Sequence, residues 1–320
     1  MSIAVVLSSY NGEKYIEEQL KSILNQTKKP NKVYILDDCS TDNTVKIVEK
    51  VISDNNLKNW CLSINSTNQG WKRNFFELLD LVEEDYIFLA DQDDIWDIRK
   101  IEKMYNIIHT RENMELLASG YEAIYEDDTR HITKKITKTI QNTQKVYQIP
   151  FNEKFMHVLR PGCTYVLKKS FFNDIKKYWN INIPHDAMIW RISTIRGTGY
   201  VLDDKLIKWR RYNSSTSNPN RKSSLYKNRY KMKYDFLISN HKENLIFLEI
   251  LNKYIKNVKI PKATIDLILE IQKFENLYYE ALNQKSIKKL IIYGLRYKKF
   301  FLSSKTIFAN VMRTVMSYEK

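Results

Sequence analysis

Asp91-Gln92-Asp93-Asp94 sets three carboxylates in four consecutive positions, after the apolar run Tyr86–Ala90 and before Ile95-Trp96. Carboxylates this close repel unless protons or a cation neutralise them. Hard oxygen ligands in small number, with coordination positions left over, suit Mg²⁺ or Mn²⁺ bridging a substrate diphosphate. The metal would then stabilise charge on a departing phosphate. Asp is also common in turns, and Asp97 reads as the N-cap of the next helix. A second pair, Asp37-Asp38, closes another apolar run; it can accept hydrogen bonds from a nucleobase or ribose, or form an Asx turn and a cap. Asn68-Gln-Gly70-Trp-Lys72-Arg73-Asn74 offers a tight turn and cations ahead of a helix, suited to a nucleotide or simply a loop-to-helix junction.

These residues need a frame that carries them to one rim. Ile3–Ser9 reads as a short buried strand, and Lys32–Leu36, Trp60–Ile64 and Tyr86–Ala90 read as further strands. Between and after them, Glu13–Gln26, Asn43–Ile52, Gly70–Val82 and Asp97–Arg111 space apolar residues for helices. Such alternation predicts an α/β fold, a parallel sheet covered on both faces, with ligands bound at the carboxyl ends of the strands. The loops after the first, second and fourth strands hold Asn11, Asp37/Asp38 and the 91–94 cluster. Neither Gly-x-Gly-x-x-Gly nor Gly-Lys-Ser/Thr occurs, so a phosphate here is handled without a glycine cradle.

The 320 residues, 43% hydrophobic and 12% aromatic, exclude wholesale disorder and allow one large α/β domain plus an appendage. Cys39, Cys61 and Cys163 form no disulfide framework or zinc-finger spacing and read as reduced thiols. No apolar run approaches the roughly 18–20 residues that span a bilayer. The N-terminus lacks the basic segment of a signal peptide, so a cytoplasmic protein is expected. The net charge of +15 is concentrated: residues 221–320 hold 21 Lys and Arg against 8 Asp and Glu, the first 220 residues 31 against 29. A near-neutral body with a basic tail suits an anionic anchor better than a basic cleft. Asn244–Ile255, Thr264–Tyr278 and Ile287–Phe301 carry helical apolar spacing. The last, with Lys288, Lys289, Arg296, Lys298 and Lys299, can lie in a membrane interface or pack as a subdomain with a solvated Lys face. Residues 127–160 are too irregular to assign and can serve as an acceptor loop.

Ser8-Ser-Tyr-Asn11-Gly, Leu36-Asp-Asp38-Cys-Ser-Thr-Asp42, Asn68-Gln-Gly70 and Leu89-Ala-Asp-Gln-Asp-Asp-Ile-Trp96 occur in this order and at family-like separations. Together they resemble a family 2 glycosyltransferase with the GT-A fold, over about residues 1–215. Gly162-Cys163-Thr164, His185-Asp186 and Trp209-Arg210-Arg211-Tyr212-Asn213 extend the likeness to bacterial rhamnosyltransferase-like members that build surface polysaccharides. The resemblance implies a mixed, mainly parallel sheet flanked by helices over 1–215, with a basic helical region over 216–320. It implies that Asp38 reads the base, that Ser9, Tyr10 and Asn11 line the same pocket, and that Asp91 lies near the ribose. Asp93, with Asp91, would hold Mg²⁺ or Mn²⁺, and Asp186 would be the catalytic base. Asn68, Gly70, Arg73, Gln92 and Arg210 complete the candidate donor-binding set. Many relatives carry a His where this chain has Tyr212, which passes any phosphate or metal role of that His to Tyr212, Arg210 or Arg211.

A sugar hydroxyl is a poor nucleophile at neutral pH, so transfer needs a positioned base and a stabilised leaving group. Asp186, at the start of an apolar-faced helix, would take the acceptor's proton during attack opposite the diphosphate, inverting the anomeric centre; alone it would read as a cap. His185 reads as a neighbour shaping the site. The expected donor is dTDP-rhamnose or a UDP-hexose. The expected acceptor is a glycan or lipid-linked oligosaccharide, with the tail placing the protein peripherally on the inner face of the plasma membrane. A nucleotidyltransferase would share the sheet and acidic loop but calls for a Gly/Arg/Lys-rich loop after the first strand. A nucleic-acid-binding protein would use the basic tail, yet no reader module is present and no nucleic acid is expected as partner. A catalytically dead scaffold is the third alternative.

Overall fold

The structure is a computed structural model that describes residues 1–125, 144–212 and 226–317. It divides into two compact units: Met1–Pro150 with Val158–Arg211, and Phe151–His157 with Tyr212–Lys320.

The first unit is built on a nine-stranded sheet. Strands β1 (Ile3–Ser9), β2 (Lys32–Asp37), β3 (Trp60–Ile64) and β4 (Tyr86–Asp91) alternate with helices α1 (Ile16–Leu24), α2 (Thr44–Asp54) and α3 (Trp71–Leu81). The chain continues through β5 (Ile95–Trp96), α4 (Lys100–His109), β6 (Leu116–Tyr125), β7 (Val146–Gln148), β8 (Tyr165–Lys168), α5 (Lys169–Ile175), α6 (His185–Arg196) and β9 (Gly199–Arg211). The strand order is β3-β2-β1-β4-β8-β6-β9-β5, with β7 on β9. Pairing is parallel for β1–β2, β1–β4, β2–β3 and β6–β9, and antiparallel where β8, β5 and β7 join. The sheet is therefore mixed.

β1 and β4 are buried along their apolar stretches, as strands covered on both faces must be. α1 turns Ile16, Leu20 and Ile23 into the core, and α3 turns Phe75, Leu78 and Leu79. β6 and β9 are long strands that an apolar count does not reveal, because Glu122, Asp203, Asp204 and Lys205 interrupt them. Their pairing shifts register on either side of Gly120. α4 begins at Lys100 rather than Asp97: the Asp97 carboxylate accepts from Arg99 N (2.9 Å) and its carbonyl from Lys100 N (3.0 Å), forming a turn ahead of the helix.

The second unit holds α7 (Tyr226–Ile255), α8 (Lys262–Asn283), α9 (Ile287–Arg296) and α10 (Ser304–Met316). Phe274 centres an aromatic cluster, with Tyr278, Phe300 and Phe301 rings all 5.3 Å away and Tyr297 at 5.5 Å. Buried Glu275 accepts from Asn244 Nδ2 (2.9 Å) and pairs with His241 Nδ1 (2.5 Å). The stretch 287–301 is not one helix: α9 stops at Arg296, and a 3₁₀ turn over Lys298–Phe300 drops Phe300 and Phe301 into the aromatic cluster. No described helix is long and apolar enough to cross a membrane. Of the irregular stretch 127–160, residues 127–143 lie outside the described residues.

Candidate active site

Strand register brings the first candidates together. In the parallel β2-β1-β4 core, Ser9 pairs with Asp37 and Ser8 with Asp91, so three segments distant in sequence end side by side. Ser9 Oγ donates to Asp37 Oδ1 (2.7 Å), and Ser40 N and Oγ donate to the same carboxylate at 2.7 and 2.6 Å. Asn11 takes a left-handed conformation (φ 46°); its Oδ1 accepts from Thr41 N (2.8 Å) and its own N–H donates to Ser40 Oγ (2.8 Å). Gln92 reaches back across the rim. Its Oε1 accepts from Tyr10 N (2.7 Å) and its Nε2 donates to Tyr10 O (3.0 Å), while the exposed Tyr10 side chain stays available. A Cβ on Gly12 would overlap that Gln92 amide, so the glycine is what lets the acidic loop and the first loop meet.

Asp38 is buried and its carboxylate clasps the next loop: Oδ1 accepts from Gln69 N (2.8 Å) and Asn65 Nδ2 (3.0 Å), Oδ2 from Gly70 N (2.8 Å). Gly70 (φ 85°) makes the turn into α3 in a conformation costly for any other residue. Asn74, one turn into α3, extends the lacing by donating to Ser8 Oγ (2.7 Å) and Leu36 O (2.8 Å). Contact between Asp38 and a base would use whatever acceptor capacity this clasp leaves. Asp38→Ala is expected to strand these donors at a cost of about 1–3 kcal/mol, read as a lowered Tm. An unchanged Tm would show that the clasp is dispensable. Asn68 is exposed, and Arg73 is exposed with its Nε on Glu77 (2.9 Å).

The acidic loop is held from three sides. Antiparallel β5–β9 pairing brings Arg210 beside it: Arg210 N donates to Asp94 Oδ1 (3.1 Å), and Nε to Asp93 O (2.9 Å). The Arg210 guanidinium also meets Glu18 (2.5 Å) and lies 4.6 Å from the Tyr15 ring centre. A phosphate on Arg210 must therefore compete with Glu18. Arg211 lies over the Trp209 ring (4.4 Å), with Asp93 among the charges acting on it; burial lowers its pKa.

β8 pairs antiparallel with β4, and the 3₁₀ turn Gly162–Thr164 just before it carries Cys163 to the acidic loop. Ligand atoms of Asp91, Asp94 and Cys163 lie within 4.8 Å of one another. Burial, then the Asp93 and Asp186 charges, push the Asp91 carboxyl up to about 7; burial with Asp93 and Asp91 raises Asp94 further from its usual range. Beneath them sits Lys100, fully buried, donating from Nζ to Cys163 O (2.8 Å) and 3.5 Å from the Trp96 ring centre. Desolvation pulls Lys100 down to about 7 against the opposing pull of Cys163, Asp94 and Asp91. Nothing in a helical pattern of Lys100, Ile101 and Met104 marks such a lysine as interior, and Cys163 alone reads as an ordinary thiol.

Asp186 joins from the opening turn of α6. Its Oδ1 accepts from Ala187 N (2.8 Å); burial raises its pKa, opposed by that bond and by Arg191 and Lys72. His185 stacks on Phe75 (3.9 Å between centroids), and burial holds its pKa down at about 3, so the ring is neutral. Gly162 is where the two halves approach closely. A Cβ there would stand 2.5 Å from His185 Nε2 and 3.1 Å from Asp186 Cβ. Gly162→Ala should therefore cost about 1–3 kcal/mol by overpacking and lower kcat more than donor affinity. Unaltered Tm and kcat would show that the 162 turn does not fix Asp186.

An α/β sheet with acidic and polar groups gathered at its strand ends fits a nucleotide-sugar transferase, and the similarity to known proteins defines the class. Residues 4–176 match glycosyl transferase family 2. The chain is a member of this family and a glycosyltransferase with the GT-A fold. It is similar to the dTDP-rhamnosyl transferase RfbG of Shigella flexneri, 33% identical over 210 residues, covering 62% of this chain and 68% of that protein. A poly(ribitol-phosphate) β-N-acetylglucosaminyltransferase, TarS of Staphylococcus aureus (strain Mu50), is 41% identical over 96 residues, 29% of this chain and 16% of the TarS chain. Among solved structures, S. aureus TarS 1–349 in complex with UDP superposes with a TM-score of 0.56 at 18% identity, covering 99% of this chain and 89% of that one. The mannosyltransferase PcManGT from Pyrobaculum calidifontis, in complex with GDP-Man and Mn²⁺, gives 0.53 at 12% identity, covering 99% and 85%.

Proposed function

We propose that the protein is an inverting glycosyltransferase of surface polysaccharide synthesis. It would move a sugar from dTDP-rhamnose, or else from a UDP-hexose, to a hydroxyl of a glycan or lipid-linked oligosaccharide. The observation that carries this reading is that the 162–164 turn joins the two chemical halves of the site: the ligand atoms of Cys163, Asp91 and Asp94 lie within 4.8 Å of one another, and a Cβ on Gly162 would stand 3.1 Å from Asp186 Cβ. The likeness to RfbG supports a dTDP-rhamnose donor, and UDP in the TarS structure supports the alternative.

A divalent cation, Mg²⁺ or Mn²⁺, fits the donor set, because burial and mutual repulsion raise the Asp91 and Asp94 carboxyls and a cation among them relieves that repulsion. Asp93 and Asp91 would hold it, and it would supply charge stabilisation to the leaving diphosphate. The protein's own groups do the rest. Ser9, Tyr10, Asn11 and Asp38, with the 68–70 turn, would border the nucleoside side; Arg210 or Arg211 would serve the diphosphate. Asp186 accepts the acceptor's hydroxyl proton as that oxygen bonds to the anomeric carbon. The bond from that carbon to the diphosphate breaks, and the nucleoside diphosphate leaves with the electron pair.

A screen of nucleotide-sugar hydrolysis with Mn²⁺ tests the assignment. The expected result is turnover of dTDP-rhamnose above the UDP-hexoses. Preference for a UDP-hexose would move the donor, and hydrolysis of none would remove the reading.

A further inference from the structure

Residues 287–317 hold seven Lys and Arg and no Asp or Glu. α9 buries Leu290 and Gly294, and Tyr297 follows it inward. On its outer stripe Lys288, Ile291, Ile292 and Leu295 recur at helical spacing, with Leu295 63% exposed. α10 repeats the design. Ile307, Asn310 and Thr314 are buried, while Lys305, Phe308, Met312 and Val315 face out, Phe308 being 68% exposed. Leu302, between the helices, is exposed as well. The two helices touch closely: a Cβ on Gly294 would stand 2.5 Å from Ile307 Cγ2, so the glycine permits the crossing. A stiff helix pair thus presents two apolar stripes, each begun by a lysine. Lys299 reaches Glu270 (2.7 Å), but Lys288, Lys298 and Lys305 have no acidic partner among the described residues.

Large exposed apolar side chains grouped in this way mark a surface that meets something. We propose that α9 and α10 form a docking plate for an anionic lipid bilayer, Leu295, Phe308 and their neighbours entering the headgroup boundary while the lysines meet lipid phosphates. The charge decides the occupant: a second copy would set Lys288, Lys298 and Lys305 against the same three lysines, whereas an anionic leaflet neutralises them. This gives the peripheral placement its surface. It rests on the proposed function only for its purpose, since binding is read without catalysis.

The 320-residue chain is sedimented with phosphatidylcholine vesicles containing increasing phosphatidylglycerol. Binding should rise with phosphatidylglycerol and fall with NaCl. The double variant Leu295→Asp, Phe308→Asp should lose at least about tenfold in vesicle affinity with Tm and donor hydrolysis unchanged. Lys288→Glu with Lys298→Glu should weaken binding to the anionic vesicles alone. Wild-type protein that stays in the supernatant at every composition would overturn the proposal. So would undiminished binding by the double variant, or a dimer that the same substitutions break without any vesicle binding.

Discussion

Asp186→Asn is expected to cut kcat by about 10²–10⁴-fold, the range a positioned general base supplies, while leaving donor affinity nearly intact. Asparagine keeps an oxygen for the Ala187 N–H but cannot take a proton. The wild-type pH profile should carry an acid limb above the ordinary carboxylate range, because burial raises the Asp186 pKa, and the variant should lose that limb. Stability moves in the opposite sense. The folded protein holds this proton more tightly than the unfolded chain, so the group contributes stability below its unfolded pKa that is lost as pH rises through the raised folded value. At pH 8 the Asn variant should therefore melt no lower than wild type. Single-turnover rates and calorimetric donor titration separate the terms; comparable turnover would remove Asp186 as base.

The second large effect is expected at Asp93. Asp94 is buried and tied to Arg210, Asp91 closes β4 against Cys163, and Asp93 is half-buried with its carbonyl accepting from Arg210 Nε. Asp93→Ala should weaken donor binding in Mn²⁺ by about 100-fold, roughly 3 kcal/mol. Without metal, variant and wild type should bind alike. Equal Mn²⁺ dependence in both would move the cation away from Asp93.

The edges of the fold show what a sequence can and cannot carry. Ile3–Ser9 matches β1 residue for residue, because a buried strand at the centre of an α/β sheet is written as an unbroken apolar run; Trp60–Ile64 matches β3 as well, although that strand lies at the sheet edge with only Trp60 buried. α1 starts at Ile16 rather than Glu13, since Tyr15 N and Ile16 N both turn back to Gly12 O (3.0 Å), and this turn leaves no apolar trace. The front half of α7 hides for a related reason: Lys- and Tyr-rich sequence gives no stripe to read before Asn244. In the site, the acidic loop announces itself by composition. Its supports do not. Lys100, Gly162 and the Gln92 clasp matter through contacts across 63, 23 and 82 positions of chain, and such contacts exist only once the sheet has set its register.

The most direct test is a crystal structure with the donor nucleotide sugar and Mn²⁺ bound to the Asp186→Asn protein. The cation should lie on Asp93 against the diphosphate, with the sugar's anomeric carbon turned toward residue 186. A nucleotide seated away from the 91–94 loop, or a sugar presenting its opposite face to residue 186, would contradict the account.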